Sequence, residues 1–351
     1  MKIYSRFLIP VLLLLTQVQW AGAETRQWTS DTGQVINAEL KSHDGESVTL
    51  FMNGKDYVLP LDKLSQEDRD WLEKREVQME KRLAGLLGMR KNAAISHRYG
   101  ETTEEYFQGP FGKKMREFYD TERSICDVPA SGLFMKCDEA VAWKDATMLV
   151  YCPTTYKGES TPMGVYISIA PGPASLKMKA GYEEVLGNLN MIYASPSGAS
   201  NKNADVRRMA LALDTLATIR KEYVIDEDRI FVGGSSGGGA MSSWMAVYFP
   251  EFRGAINQVR NAYIPSDSCF PTIDEGDIRP LTRRKQAYAF VTGPKDSNYK
   301  AIVDCIPSWE EKNFIVKLFD IPGMGHSQAS ADSLEKALRW AEESSDPPKR
   351  D

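Results

Sequence analysis

Tyr223-Val224-Ile225-Asp226-Glu227-Asp228-Arg229-Ile230-Phe231-Val232-Gly233-Gly234-Ser235-Ser236-Gly237-Gly238-Gly239 decides how this 351-residue chain is read. Arg229 to Val232 is an apolar, β-type run, and Ala240 to Tyr248 reads as a helix. Between them, Gly234-x-Ser236-x-Gly238 has the spacing of a strand-to-helix turn sharp enough to strain its central serine. Glycines two before and two after that serine keep side chains out of the crossing. The helix N-terminus behind it offers free N–H groups and its dipole to nearby negative charge. The spacing therefore predicts an exposed, nucleophilic Ser236. A phosphate-binding turn fits less well. A G-x-G-x-x-G reading from Gly237 needs glycine where Ser242 stands, and no lysine follows the last glycine as a P-loop requires. A merely structural glycine turn is the bland alternative.

Outward from this turn the rhythm is strand, loop, helix. Met148–Pro153, Met163–Ala170, Asn190–Pro196, Gly254–Val259, Ala287–Gly293 and Phe314–Phe319 read as strands, Met163–Ala170 as a buried one. Arg207 to Tyr223 reads as an amphipathic helix, with Leu211, Leu213, Leu216, Ile219 and Tyr223 on its apolar side. Asp332 to Glu343 reads as a closing helix. Such alternation predicts an α/β fold over residues 131–345, a mostly parallel sheet with helices on both faces. The active site of such a sheet lies at the carboxyl ends of its strands.

Residues 145 to 343 resemble the α/β-hydrolase family, and within it exported esterases of the feruloyl-esterase and polyhydroxyalkanoate-depolymerase kind. The quoted stretch carries the likeness: it is similar to the pattern Y-x-I-D-x-x-R-I/V-x-V-x-G-x-S-x-G-G that leads into the nucleophile turn of those enzymes. The resemblance implies a triad in the order serine, acid, histidine. It places the acid just after a late strand, where Asp296 stands, with Asp304 and Asp320 as weaker alternatives. It places the histidine in a loop before the last helix, where His326 stands. The chain's other two histidines are His43 and His97. The implied roles are attack by Ser236, proton transfer by His326, and orientation of the imidazole by Asp296. The oxyanion hole needs Gly237 and a second backbone donor from the loop after an earlier strand. Many relatives read His-Gly-x in that loop; this chain reads Pro171-Gly172-Pro173-Ala174. Proline has no N–H, so the expected second donor is Ala174, and the departure raises a slow or degenerate site as an alternative. No metal or cofactor is called for.

Residues 24–70 read as a separate β-rich module. They resemble the Sla-homology domain, a small SH3-like barrel, through Trp28, Gly33, Ala38, the Asn53-Gly54 turn, Val58-Leu59-Pro60-Leu61 and Leu64-Ser65-Gln66-Glu67-Asp68. The resemblance leaves open a peptide or protein ligand and a plain folding module without one. Ser65 and Asp68 have the spacing of a helix-capping box. Residues 71–130 read as a solvated, charged linker helix followed by irregular chain. Residues 261 to 285, with Tyr263, Phe270, Asp274, Glu275 and Asp277, read as a loop long enough to cover a pocket and set specificity.

The first 23 residues read as a signal peptide: Lys2 and Arg6, an apolar stretch from Phe7 to about Leu15, then Ala21-Gly22-Ala23 as the cleavage site. This predicts export to the periplasm or the extracellular space. The apolar stretch is too short to span a bilayer comfortably, so no stable membrane insertion is expected. The 43 lysines and arginines against 48 acids give a net charge of −5, and loss of Lys2 and Arg6 makes it two more negative. An acidic surface argues against nucleic acid as partner. In an exported chain the five cysteines suggest disulfides: Cys126 with Cys137 and Cys269 with Cys305, leaving Cys152 over, with an all-reduced core as the alternative. The function expected is an exported serine esterase acting on acylated-polysaccharide or polyester substrates. A peptidase of the same fold, or a catalytically weak binding or scaffold protein, are the competing readings.

Overall fold

The apolar runs read between residues 145 and 320 become the strands of one sheet. Residues 18–19, 25–100, 145–172, 177–203, 205–262, 264 and 275–347 are described in the computed structural model. In chain order the sheet strands are β6 (Gly88–Ala94), β7 (Thr147–Cys152), β8 (Met163–Ile169), β9 (Met191–Pro196), β10 (Ile225–Ser235), β11 (Gly254–Gln258), β12 (Ala287–Thr292) and β13 (Ile315–Asp320). They lie side by side as β13-β12-β11-β10-β8-β9-β7-β6. Every pair from β13 to β9 is parallel; β7 and β6 join antiparallel at one edge. The fold class is the one expected, a mostly parallel α/β sheet with helices on both faces.

The helices are α2 (Tyr182–Asn188), α3 (Asp205–Glu222), α4 (Gly237–Tyr248), α5 (Glu275–Thr282), α6 (Tyr299–Glu310) and α7 (Ala331–Ser344), after α1 (Gln66–Leu86) of the N-terminal part. They cover both faces, as the alternation of β12 shows. Its odd positions, Ala287, Ala289 and Val291, pack in one cluster with Leu186 of α2 and Leu334, Ala337 and Leu338 of α7. Its even positions, Tyr288 and Phe290, meet Trp309 of α6 at ring-centroid distances of 4.6 and 5.9 Å on the other side. A strand buried on both faces needs an unbroken apolar run, which is why Ala287–Thr292 was legible in the sequence.

The larger unit spans Leu86–Tyr156 and Pro162–Asp351. It takes in Gly88–Ala94, which the sequence reading had within the linker. These seven residues hold few large apolar side chains, and as an edge strand they need only pair with β7. Arg90 anchors them, donating to Glu222 and Tyr223, both at 2.6 Å. Residues 261–285 are not loop throughout, since α5 occupies Glu275–Thr282.

The smaller unit comprises Met1–Gly85 with Lys157–Thr161. Its antiparallel sheet runs β1 (Val18–Gln19), β3 (Val35–His43), β4 (Ser47–Met52), β5 (Lys55–Pro60), with β2 (Thr25–Thr29) also paired to β3. This sheet is compatible with the small barrel expected. Trp28, Ala38, Leu40, Val48, Leu50 and Leu64 form its core, joined by Leu72 of α1. The first turns of α1 therefore belong to this unit, while the rest of the helix is largely exposed. Ser65 caps the helix as its spacing predicts: its Oγ accepts the Asp68 N–H at 3.2 Å. The buried Asp68 carboxylate also accepts from Thr29 N–H and Arg26 Nη2, both at 2.6 Å.

The expected disulfide between Cys269 and Cys305 is not formed. Cys152 and Cys305 are both free and buried. Burial pushes their thiols up, to about 12 and about 11 respectively, so they behave as small apolar core residues. Cys126, Cys137 and Cys269 lie outside the described residues.

Candidate active site

Ser236 stands between β10 and α4 with φ 53° and ψ −127°, a left-handed backbone no ordinary L-residue favours. Surrounding contacts hold it there. Its N–H donates to the Gln258 carbonyl at 2.9 Å, and its own carbonyl accepts from Gly239 N–H at 2.8 Å. The glycines are needed because three elements cross at van der Waals distance. A Cβ on Gly238 would run into the Ile169 carbonyl group at the end of β8, with the carbonyl carbon only 2.8 Å away. Gly237 opens α4, so its N–H lies among the first-turn donors that no helical carbonyl reaches.

His326 lies on the loop between β13 and α7, six residues past the strand. Its Nε2 is 3.1 Å from Ser236 Oγ, and its Nδ1 is 2.8 Å from Asp296 Oδ1. Asp296 follows β12 by four residues, and its side chain is fully buried. The other carboxylate oxygen accepts the Thr292 hydroxyl at 2.7 Å, and Oδ1 also accepts the Asn298 N–H at 3.0 Å. The pairing of β12 with β13 continues past both strands. Lys295 N–H donates to Met324 O at 3.1 Å, and Lys295 and Gly325 form a parallel bridge. The next residue on each chain is Asp296 and His326, so strand register delivers acid and base side by side. The two alternative acids are engaged elsewhere: Asp304 with Lys300 at 2.5 Å, Asp320 with the Tyr299 hydroxyl at 2.7 Å.

No part in the site was expected of the end of β11, yet it bonds to the serine and to neighbours of the histidine and the acid. The Gln258 carbonyl holds the Ser236 N–H; its side-chain Oε1 accepts the Ala329 N–H, three residues past His326, at 2.8 Å. Val259 follows with φ 53°, rare for a β-branched residue. This turns its carbonyl to accept Asn298 Nδ2 at 3.0 Å, beside the acid. Tyr182 of α2 donates its hydroxyl to Ala329 O at 3.0 Å, and Lys179 reaches Gln328 O. Burial raises the phenol pKa of Tyr166 and Tyr182, so these groups stay neutral next to Gln258. No motif marks such residues; a buried glutamine at a strand's carboxyl end is the one local signal the sequence carries.

Ala174, the expected second oxyanion donor, and Pro173 lie outside the described residues, as do Tyr263, Phe270 and Asp274 of the expected specificity loop. His43 and His97 are not in the site: His43 lies in the smaller unit, and His97 Nδ1 is 3.0 Å from Ser96 Oγ. Among the described residues, no three His, Cys, Asp or Glu side chains cluster as a metal site, and no helix is long and apolar enough to cross a membrane.

The sequence matches no family model. It matches no curated protein either. Solved structures are similar to part of this chain at low identity. Est1E from Butyrivibrio proteoclasticus is 14% identical over 56% of this chain and 92% of its own, with a TM-score of 0.42. The S-formylglutathione hydrolase FrmB from Staphylococcus aureus is 15% identical over 56% of this chain and 92% of its own, with a TM-score of 0.43. A Bacteroides ovatus chain assigned as a dipeptidyl aminopeptidase IV is 14% identical, with a TM-score of 0.44; the match covers 59% of this chain and only 34% of that one.

Proposed function

We propose that this chain is a serine hydrolase that cleaves carboxylic esters by acyl transfer. One observation carries the reading: a hydrogen-bonded line from Ser236 Oγ through both nitrogens of His326 to a buried Asp296, with distances of 3.1 and 2.8 Å. A solvated histidine or a structural glycine turn gives no reason for a strained serine, a buried carboxylate and a shared imidazole to meet. The chemistry follows from the geometry. Ser236 Oγ attacks the ester carbonyl carbon as its proton passes to His326 Nε2, and the carbonyl π pair moves to oxygen. The oxyanion collapses, the bond to the leaving oxygen breaks, and His326 returns the proton to the departing alcohol. Water then repeats the sequence on the acyl-enzyme, releasing the acid and restoring Ser236. Asp296 keeps the imidazole in the tautomer with hydrogen on Nδ1 and stabilises the imidazolium.

The finer assignments belong to the same proposal. The basic, apolar and small-residue pattern of residues 1–23 supports export, and the motif likeness around Ser236 supports acylated polysaccharides or polyesters as substrates. The SH3-like reading of residues 24–70 rests on its sequence likeness alone. Labelling with a fluorophosphonate tests the core reading. Wild type should label and both Ser236→Ala and His326→Ala should not; a folded wild type that stays unlabelled ends it. An ester panel set against peptide amides then separates esterase from peptidase.

A further inference from the structure

The loop after β8, where the sequence places the second oxyanion donor, is poor in N–H groups, and the loop after β9 offers another donor. Gly237 supplies the first N–H. The loop after β8 begins Pro171-Gly172-Pro173, so two of its first three residues have no N–H to give. Asn201 lies against this gap. Its backbone N–H donates to the Pro171 carbonyl at 3.0 Å, which ties it to the chain leaving β8. Its carboxamide fills the space a side chain at 237 would take: a Cβ built on Gly237 would run into Asn201 Oδ1 first, with Nδ2 2.7 Å away. Gly237 thus leaves room for the Asn201 carboxamide beside the first turn of α4.

The loop is also held firmly, which a preorganised donor requires. Asn203 N–H donates to Ser200 O at 3.0 Å, Lys202 N–H to Ser200 Oγ at 3.3 Å, and Asn203 Nδ2 bonds to Gly198 O. Arg208 of α3, itself buried, donates Nε–H to Ala199 O at 3.0 Å. The Asn201 side chain is exposed and lies against the turn. Its terminal torsion is soft, so Nδ2 can turn toward an oxygen bound at Gly237 without repacking a core.

We propose that Asn201 is a catalytic residue, its Nδ2–H donating to the oxyanion alongside the Gly237 N–H. The inference rests on the serine-hydrolase reading and adds a residue that the nucleophile motif does not contain. A side-chain amide in this role compensates for a loop poor in N–H groups, and it makes a donor strength that substitution can tune.

The test is steady-state hydrolysis of p-nitrophenyl acetate by the full chain, with Asn201→Ala and Asn201→Asp beside wild type and Ser236→Ala. Both Asn201 variants keep the backbone bond to Pro171, and an exposed side chain leaves folding intact. Loss of one oxyanion donor lowers kcat by about 10²–10³, and KM should stay within about threefold because the bond forms only in the transition state. Asn201→Asp, which keeps the shape but removes the N–H and adds charge, should lose at least as much. Affinity for a trifluoromethyl ketone, whose adduct carries the same oxyanion, should fall alongside kcat. Wild-type kcat in Asn201→Ala, or a loss confined to KM, overturns the proposal and returns the second donor to residues 171–174. Absence of Ser236-dependent turnover in wild type is a different failure, that of the hydrolase reading itself.

Discussion

The serine turn and the histidine loop reach the same site by opposite means. Ser236 is placed by its own neighbours in sequence: β10 before it, α4 after it, and glycines that let the two cross against Ile169. His326 is placed by residues far away in sequence. Asp296, Gln258 and Tyr182 hold it or its loop across separations of 30, 71 and 147 residues, counting the latter two to Ala329. One half of the site is thus local and backbone-built, the other tertiary and side-chain-built. The local half should fail abruptly when altered, and the tertiary half in steps.

The largest effect tests the chemistry on which the comparison depends. Ser236→Ala should lower kcat by about 10⁴ or more, leaving only the activity of binding and oxyanion stabilisation. Asp296→Asn should lower it by about 10⁴ with the geometry intact, because an amide donating to Nδ1 fixes the wrong tautomer. Hydrolysis of a chromogenic ester measures both. Near-wild-type turnover in the asparagine variant would mean that the imidazole keeps its working tautomer without a carboxylate at 296, and would end the triad reading.

Next comes the local half as structure. Gly238→Ala puts a methyl group into the Ile169 carbonyl, a backbone group that cannot swing aside. The turn must open or α4 must shift, and either costs several kcal/mol, on the scale of severe overpacking. A melting curve should show a drop of at least about 5 °C for a unit of this size. An unshifted melt with full activity would show the crossing to be looser than the distances state.

This contrast also explains what the sequence made legible. The turn could be read because its demands fall on adjacent residues: glycine where chains cross, serine between them, apolar residues in the strand. The central strands could be read because they are buried on both faces. Asp296 and His326 followed from a family likeness and from the scarcity of histidine, not from local pattern. Gln258, Asn298 and Tyr182 had no such signal, since what selects them is a partner distant in sequence. The pairing assigned to Cys269 and Cys305 shows the same limit. Cysteine count and compartment suggested a bond, while Cys305 faces a core beside Ile302 and Trp309.

The tertiary half is sharpened by Gln258→Leu. Leucine keeps the bulk but leaves the Ala329 N–H, held at 2.8 Å, without its acceptor. The backbone bond from Ser236 N–H is untouched, so the nucleophile stays in place while the histidine loop loosens. Misplacement of a catalytic group by about 1 Å costs on the order of 10² in rate, so kcat should fall about 10–10²-fold with little change in KM. Gln258→Glu retains an acceptor oxygen and should recover part of that loss. If leucine and glutamate behave alike, the residue serves packing and does not position His326.

The smallest effect isolates one side-chain bond to the same loop. Tyr182→Phe removes only the hydroxyl that donates to Ala329 O at 3.0 Å, leaving a buried carbonyl short of a partner. That loss is worth about 1–2 kcal/mol, or a fall in melting temperature of roughly 2–6 °C for a unit this large. The effect on kcat should be under about tenfold, because Gln258 still holds the N–H side of the same residue. Combining Tyr182→Phe with Gln258→Leu should cost more in kcat than the product of the single effects, since each bond limits what the loss of the other can do. Strictly multiplicative losses would show that the two bonds act independently, and that the histidine loop has no shared anchor at Ala329.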